Sequence, residues 1–178
     1  MWRKILTYGL IAGLVVAIPM NVMILATPGH LPLAYGMVFG YVTMLVALSA
    51  VFVAVKRHRD TELGGVIGFW PALGMGLGIS LIAGIIYSLA WELSLAMSHM
   101  DFATAYANTL IAEKKAAGAS AEAIAKLTAE MDAFKVQYAN PLFRLPMTFA
   151  EIFPVGVLVS LVSAALLRNP RFLPRSRA

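Results

Sequence analysis

Two carboxylates of this chain, Glu92 and Glu151, fall within long apolar runs. Ionising an acid in such surroundings is costly, so an acid placed there is a candidate proton or cation site. Glu151 lies about sixteen residues before the end of its run, and Asn21 about sixteen residues into an earlier one. A rise of ~1.5 Å per residue puts both ~24 Å from one boundary if the runs are antiparallel helices. At one depth they can hydrogen-bond, provided their helices are neighbours. Pro19 and Pro154 match in depth within about one residue. Paired interruptions of this kind mark binding sites in some transporters. They also occur where a kinked helix is merely re-satisfied by its neighbours. A structural role is open to the same residues, with Glu151 a hydrogen-bonded packing residue and Glu92, beside Trp91, interfacial and wet. Arg144, near the start of the last run, can pair with either acid. Glu151, Asn21, Glu92 and Arg144 therefore make up the candidate intramembrane polar site.

Other chemistry is thinly represented. His30 with Glu92 and Glu151 would suffice for a metal or for acid–base work, but the three are not in a ligand-spaced motif such as HExxH. His99 follows the third apolar run as a solvated residue, and His58 belongs to the basic cluster Lys56-Arg57-His58-Arg59-Asp60. The chain has no cysteine, hence no disulfide or thiol nucleophile. No GxSxG, Walker A or dinucleotide-binding loop occurs. No catalytic residue, metal ligand or cofactor is assigned.

The elements that must position these residues are membrane spans. Of 178 residues, 60% are hydrophobic and 13% charged, whereas a soluble domain carries about a quarter charged residues. The apolar residues come in four runs of spanning length, at about residues 5–26, 34–55, 69–97 and 146–167. The first has the charged start of a signal peptide, but it is long and Leu25-Ala26-Thr27-Pro28 is a poor cleavage sequence, so it is expected to be retained. Gly9 and Gly13, and again Gly36 and Gly40, are four residues apart, a spacing that lets helices approach closely. Gly74, Gly76, Gly78 and Gly84 are expected to do the same in the third span. The Lys56–Asp60 cluster is expected to end the second span.

Residues 101–140 differ: they are charged, alanine-rich and helix-favouring. Gly118 suits a helix C-cap and Ser120 an N-cap, with Glu122 in the first turn. Ile124, Leu127, Met131, Phe134 and Tyr138 form one apolar stripe, and Phe102, Tyr106 and Leu110 another. An amphipathic helical hairpin follows, closed by Asn140-Pro141. The stripes are expected to bury against each other or on the ends of the spans, or else to meet a partner or lipid. A basic tail occupies residues 168–178. Arg3, Lys4, Lys56, Arg57, Arg59 and four tail arginines share one side, so the positive-inside rule puts both termini in the cytoplasm and the hairpin outside. The net charge of +5 therefore reports topology and not a nucleic-acid face.

Several landmarks resemble, in order, a family of small bacterial four-span proteins catalogued as domain of unknown function 4199. They are Tyr8–Leu14 (YGLIAGL), the FVAVKRHRD ending at Asp60, Tyr87–Glu92 (YSLAWE), Asn140–Arg144 (NPLFR), Glu151, Phe153–Gly156 (FPVG) and Ser160–Ser163 (SLVS). The resemblance implies a bacterial inner-membrane protein with four helices and no established activity; the side on which the positive-inside rule puts the hairpin would be the periplasm in a Gram-negative cell. The expected fold is an all-α integral membrane protein with four transmembrane helices and an extracytoplasmic helical hairpin between spans three and four. The expected function is a non-enzymatic accessory or scaffold, its partners the bilayer, further copies of itself or another membrane protein. The first alternative is a small-solute or proton-coupled transporter using the embedded carboxylates; a weaker one is a membrane-embedded enzyme. A polar cavity reaching Glu151 would favour transport. A sealed bundle with Glu151 bonded to Asn21 or Arg144 would favour the scaffold.

Overall fold

The computed structural model describes residues 1–26 and 33–174. His30, Arg175 and Arg177 lie outside the described residues. Six helices follow in order: α1 (Trp2–Ala26), α2 (Leu33–Glu62), α3 (Phe69–Ser98), α4 (Phe102–Ala116), α5 (Ala121–Tyr138) and α6 (Pro141–Leu167). There is no strand among the described residues. Helices α1, α2, α3 and α6 are each long and apolar enough to cross a membrane, so the chain is an all-α, multi-pass membrane protein. Leu10, Leu14, Ile18 and Val22 on α1, with Val38, Val42 and Val46 on α2, point away from the protein. In a bilayer these are lipid-facing positions, where burial within the protein is not needed.

Helix α3 is the centre. Its most apolar stretch is 56% covered, against 33% in each of the other three long helices. Glycine makes this possible. A Cβ at Gly9 or Gly13 would lie 2.7 Å from Ile82 or Ile86 of α3. On another side of α3, Gly76 receives Ser160, and Gly156 of α6 receives Ser80, each leaving only 2.6–2.8 Å for an added Cβ. The two serines share that seam, 3.4 Å apart, and each donates to the carbonyl four residues earlier. Gly78 and Gly84 also pack, against Ile5 and Phe149, while Gly74 faces open space.

Two boundaries differ from expectation. Helix α2 does not stop at the basic cluster but runs through it to Glu62. Lys56 pairs with Asp60 one helical turn on, which supports the helix, and His58 Nδ1 lies 2.8 Å from Glu62 Oε2 at the same spacing. Gly64 and Gly65, at φ +66° and +97°, end it in a conformation that other residues seldom adopt. Helix α6 begins at Pro141, about five residues earlier than its apolar run. Asn140 caps it by accepting from the Leu142 N–H, and Pro141 needs no N–H at that position.

The insert is a helical hairpin. Gly118, at φ +73°, makes the turn, and Ser120 Oγ accepts from the Ala123 N–H. Asp101 caps α4 by accepting from the Thr104 N–H, and hydrogen bonding with the Thr104 side chain and N–H holds its carboxyl below the ordinary carboxylate range. The two stripes meet each other: Tyr106 lies 5.9 Å from Phe134, and Phe102 lies 5.5 Å from Tyr138, ring centre to ring centre. The hairpin is fastened to the long helices at its base, where Trp91 of α3 packs edge-on to Phe102.

The opposite end has its own fastening. Arg59 is fully buried and donates to the carbonyls of Leu167, Phe172 and Leu173, with Asp60 on its Nε. One guanidinium thus caps α6 and holds the chain that follows it.

Candidate functional site

The four candidate polar residues all lie toward the hairpin end, but as three separate arrangements. Asn21 and Glu151 do not meet. Asn21 Oδ1 accepts from Ser94 Oγ at 2.7 Å, and its Nδ2 donates to the Ala17 carbonyl of its own helix. The reason is the order of packing: α3 sits between α1 and α6, and its Ser94 takes the place anticipated for Glu151.

Arg144 pairs with Glu92. Its Nε and Nη2 grip the two carboxylate oxygens at 2.8 and 2.5 Å, and Nη1 donates to the Tyr138 carbonyl at 2.9 Å. The guanidinium also lies 5.6 Å from the centre of the Tyr138 ring. A planar two-pronged donor suits this geometry and lysine would not. The pair joins α3 to α6 across the foot of the hairpin, and its charges cancel.

Glu151 is left with a different partner. Tyr87 Oη donates to Glu151 Oε2 at 3.3 Å. Both residues line a cavity of about 320 Å³ toward the hairpin end of the four long helices. One wall is α1 with Val16, Met20 and Met23, and another is α2 with Gly36, Gly40, Tyr41 and Met44. Thr148 and Met147 flank Glu151 on α6. The roof is aromatic: Trp91, Phe102, Tyr106, Phe134 and Tyr138 all reach the cavity. Trp91 Nε1 donates to Tyr138 Oη at 2.7 Å, which fixes two of these rings, and burial pushes the Tyr138 phenol up to about 12. The hairpin stripe therefore holds the hairpin together and closes the cavity at the same time.

Gly36 and Gly40 do not serve a helix seam. A Cβ at Gly40 would meet nothing within 4 Å, and one at Gly36 only Met23 at an ordinary 3.5 Å. Their missing side chains are part of the cavity space. Sequence reasoning placed the roof aromatics in the hairpin stripes and beside Glu92, and Tyr87 in a landmark, but assigned none of them to the polar site. The available signal was the spacing of Tyr87 and Trp91, one helical turn apart on the face of α3 that turns toward Glu151.

The histidines stay apart from this cavity. His58 lies near the termini with Nδ1 2.8 Å from Glu62 Oε2, and His99 is exposed in a left-handed C-cap of α3. Among the described residues, no three His, Asp or Glu side chains converge on one point. What the arrangement can do chemically is hold a small, largely apolar molecule beside one carboxyl and several phenol groups.

A family model described as "Protein of unknown function (DUF4199)" matches residues 7–169. No curated protein and no solved structure matches the chain.

Proposed function

The chain belongs to the family described as protein of unknown function (DUF4199), and on that premise we propose that it binds a small solute within the membrane, as a carrier or proton-coupled transporter. The observation that carries this reading is the cavity of about 320 Å³ that reaches Glu151. Glu151 is bonded neither to Asn21 nor to Arg144; its partner is Tyr87 of α3, which lines the same cavity. The other intramembrane polar groups, Glu92, Arg144 and Asn21, bond between helices without lining the cavity. They support the scaffold around the site and do not form part of it. We place the protein in a bacterial inner membrane with both termini cytoplasmic and the hairpin periplasmic, on the distribution of basic residues. The cavity then lies in the periplasmic half of the bilayer, within a four-helix bundle and beneath the hairpin.

The accessory or scaffold reading keeps one observation in its favour. The glycine seams at Gly9, Gly13, Gly76 and Gly156 are tight enough to resist sliding, as a fixed framework requires. They also join helices of a single chain, so the binding reading needs no second copy.

Dicyclohexylcarbodiimide, an apolar reagent for membrane carboxyl groups, tests the reading. With the protein in lipid bilayers and mass spectrometry as the readout, Glu151 is modified and the salt-bridged Glu92 is spared. Gly40→Phe, which fills the cavity from a position with free space, slows modification of Glu151 several-fold. An unreactive Glu151, or one equally reactive with the cavity filled, would count against a solute site.

A further inference from the structure

Among the described residues that line the cavity, Glu151 is the only one with a formal charge. Glu92 and Arg144 neutralise each other beside it and neither lines it. Aromatic rings line the same cavity: Phe102 and Tyr106 are stacked at 5.8 Å, and Tyr106 and Phe134 are tilted at 5.9 Å. An aromatic face carries the negative part of the ring quadrupole, and several such faces around one point attract a cation. The Tyr87 phenol donates to one carboxylate oxygen of Glu151, and no donor among the described residues reaches the other, which can face the positive charge of a ligand. The remaining walls are methionine and aliphatic, and methionine adapts to ligands of varied outline.

We propose that the ligand is an organic cation with a compact apolar body, a protonated or quaternary amine whose charge sits between Glu151 and the aromatic roof. The assignment rests on the solute-binding reading above and adds the class of solute. An anion would meet Glu151 with no basic residue among the described lining residues to offset it. An inorganic cation would gain nothing from the apolar walls and would lack the carbonyl or carboxylate set it needs. A purely apolar molecule would fill the walls but leave the carboxylate facing it unmatched. The modest volume favours a single-ring body over a large polycyclic one.

Benzyltrimethylammonium and its uncharged isostere neopentylbenzene test the assignment, because they differ only in the central nitrogen or carbon. Binding of each to the full chain in lipid nanodiscs is measured by calorimetry, with empty nanodiscs as the blank. The cation binds about tenfold or more tightly than the isostere, as expected for a carboxylate with two or more ring faces. Glu151→Gln brings the two affinities together while leaving binding of the isostere in place. Tyr106→Leu, which keeps apolar volume and removes a ring face, narrows the gap in a protein whose carboxylate is intact. Equal binding of both compounds to the wild-type chain would overturn the cation assignment and leave the solute cavity standing. A cation preference that survives in Glu151→Gln would overturn it as well. Binding of neither compound would overturn the solute reading itself.

Discussion

Adding one methyl group at Gly156 tests how the molecule is held together. In Gly156→Ala the new Cβ would stand 2.6 Å from Ser80 Cβ and 2.7 Å from Ser80 Oγ. Ordinary carbon contacts lie at ~3.5–4 Å, so α3 and α6 must part by ~1 Å along their glycine–serine seam. Both helices are long and their other contacts resist the shift, so overpacking costs ~1–3 kcal/mol. The same methyl at Gly40 meets nothing within 4 Å and, by restricting the unfolded chain, is neutral or stabilising by up to ~1 kcal/mol. Two chemically identical changes should thus differ by ~2–3 kcal/mol. The compensating change is Ser80→Gly, after which the nearest atom to the new Cβ is the residue-80 Cα at 3.6 Å. The double variant should recover at least ~1 kcal/mol of the loss, read as a coupling energy. The assay is reversible unfolding in mixed detergent and sodium dodecyl sulfate, followed by tryptophan fluorescence. A Gly156→Ala protein within ~0.5 kcal/mol of wild type, or a double variant no better than the single one, would refute the seam as the source of stability.

Four further outcomes are expected. Arg144→Lys keeps the charge but loses the two-pronged grip on Glu92 and the carbonyl contact to Tyr138. It should cost ~1–3 kcal/mol in the same assay, with a smaller added cost when Glu92→Gln is already present. Arg59→Met removes the donors to Leu167, Phe172 and Leu173, so trypsin should cut at Arg168 and Arg171 faster than in wild type while the melting temperature falls. Asp101 has its folded pKa depressed by hydrogen bonding with the Thr104 side chain and then with its N–H. Its contribution to α4 is full above the unfolded value of ~3.9 and is lost as pH falls through the lower folded value; amide exchange at Thr104 should rise over that interval in wild type and show no such step in Asp101→Asn. Because the chain has no cysteine, a single Ala116→Cys in the hairpin turn should react with an impermeant maleimide from the periplasmic side and resist it from the cytoplasmic side, and the reverse pattern would invert the proposed topology.

The sequence by itself determined the four long helices and the hairpin. Runs such as residues 69–97 are too long and too apolar to be anything but spanning helices, and Gly118-Ala119-Ser120 carries its own turn and cap signals. These are local properties, decided by residues within a turn or two of each other. It also marked Glu92 and Glu151 as acids within apolar runs, since depth in an apolar run is countable along the chain. What it did not settle is which side chains meet. Asn21 and Glu151 share a depth, but depth fixes one coordinate and leaves the rotation and order of helices open. The tertiary structure put α3 between them and gave Asn21 to Ser94, Glu151 to Tyr87 and Arg144 to Glu92. The same ambiguity hid the two uses of one glycine spacing. Gly9 and Gly13 receive isoleucines of a neighbouring helix, while Gly36 and Gly40, equally spaced, leave room for a cavity. A missing side chain permits either close contact or empty space, and only the position of the next helix chooses between them.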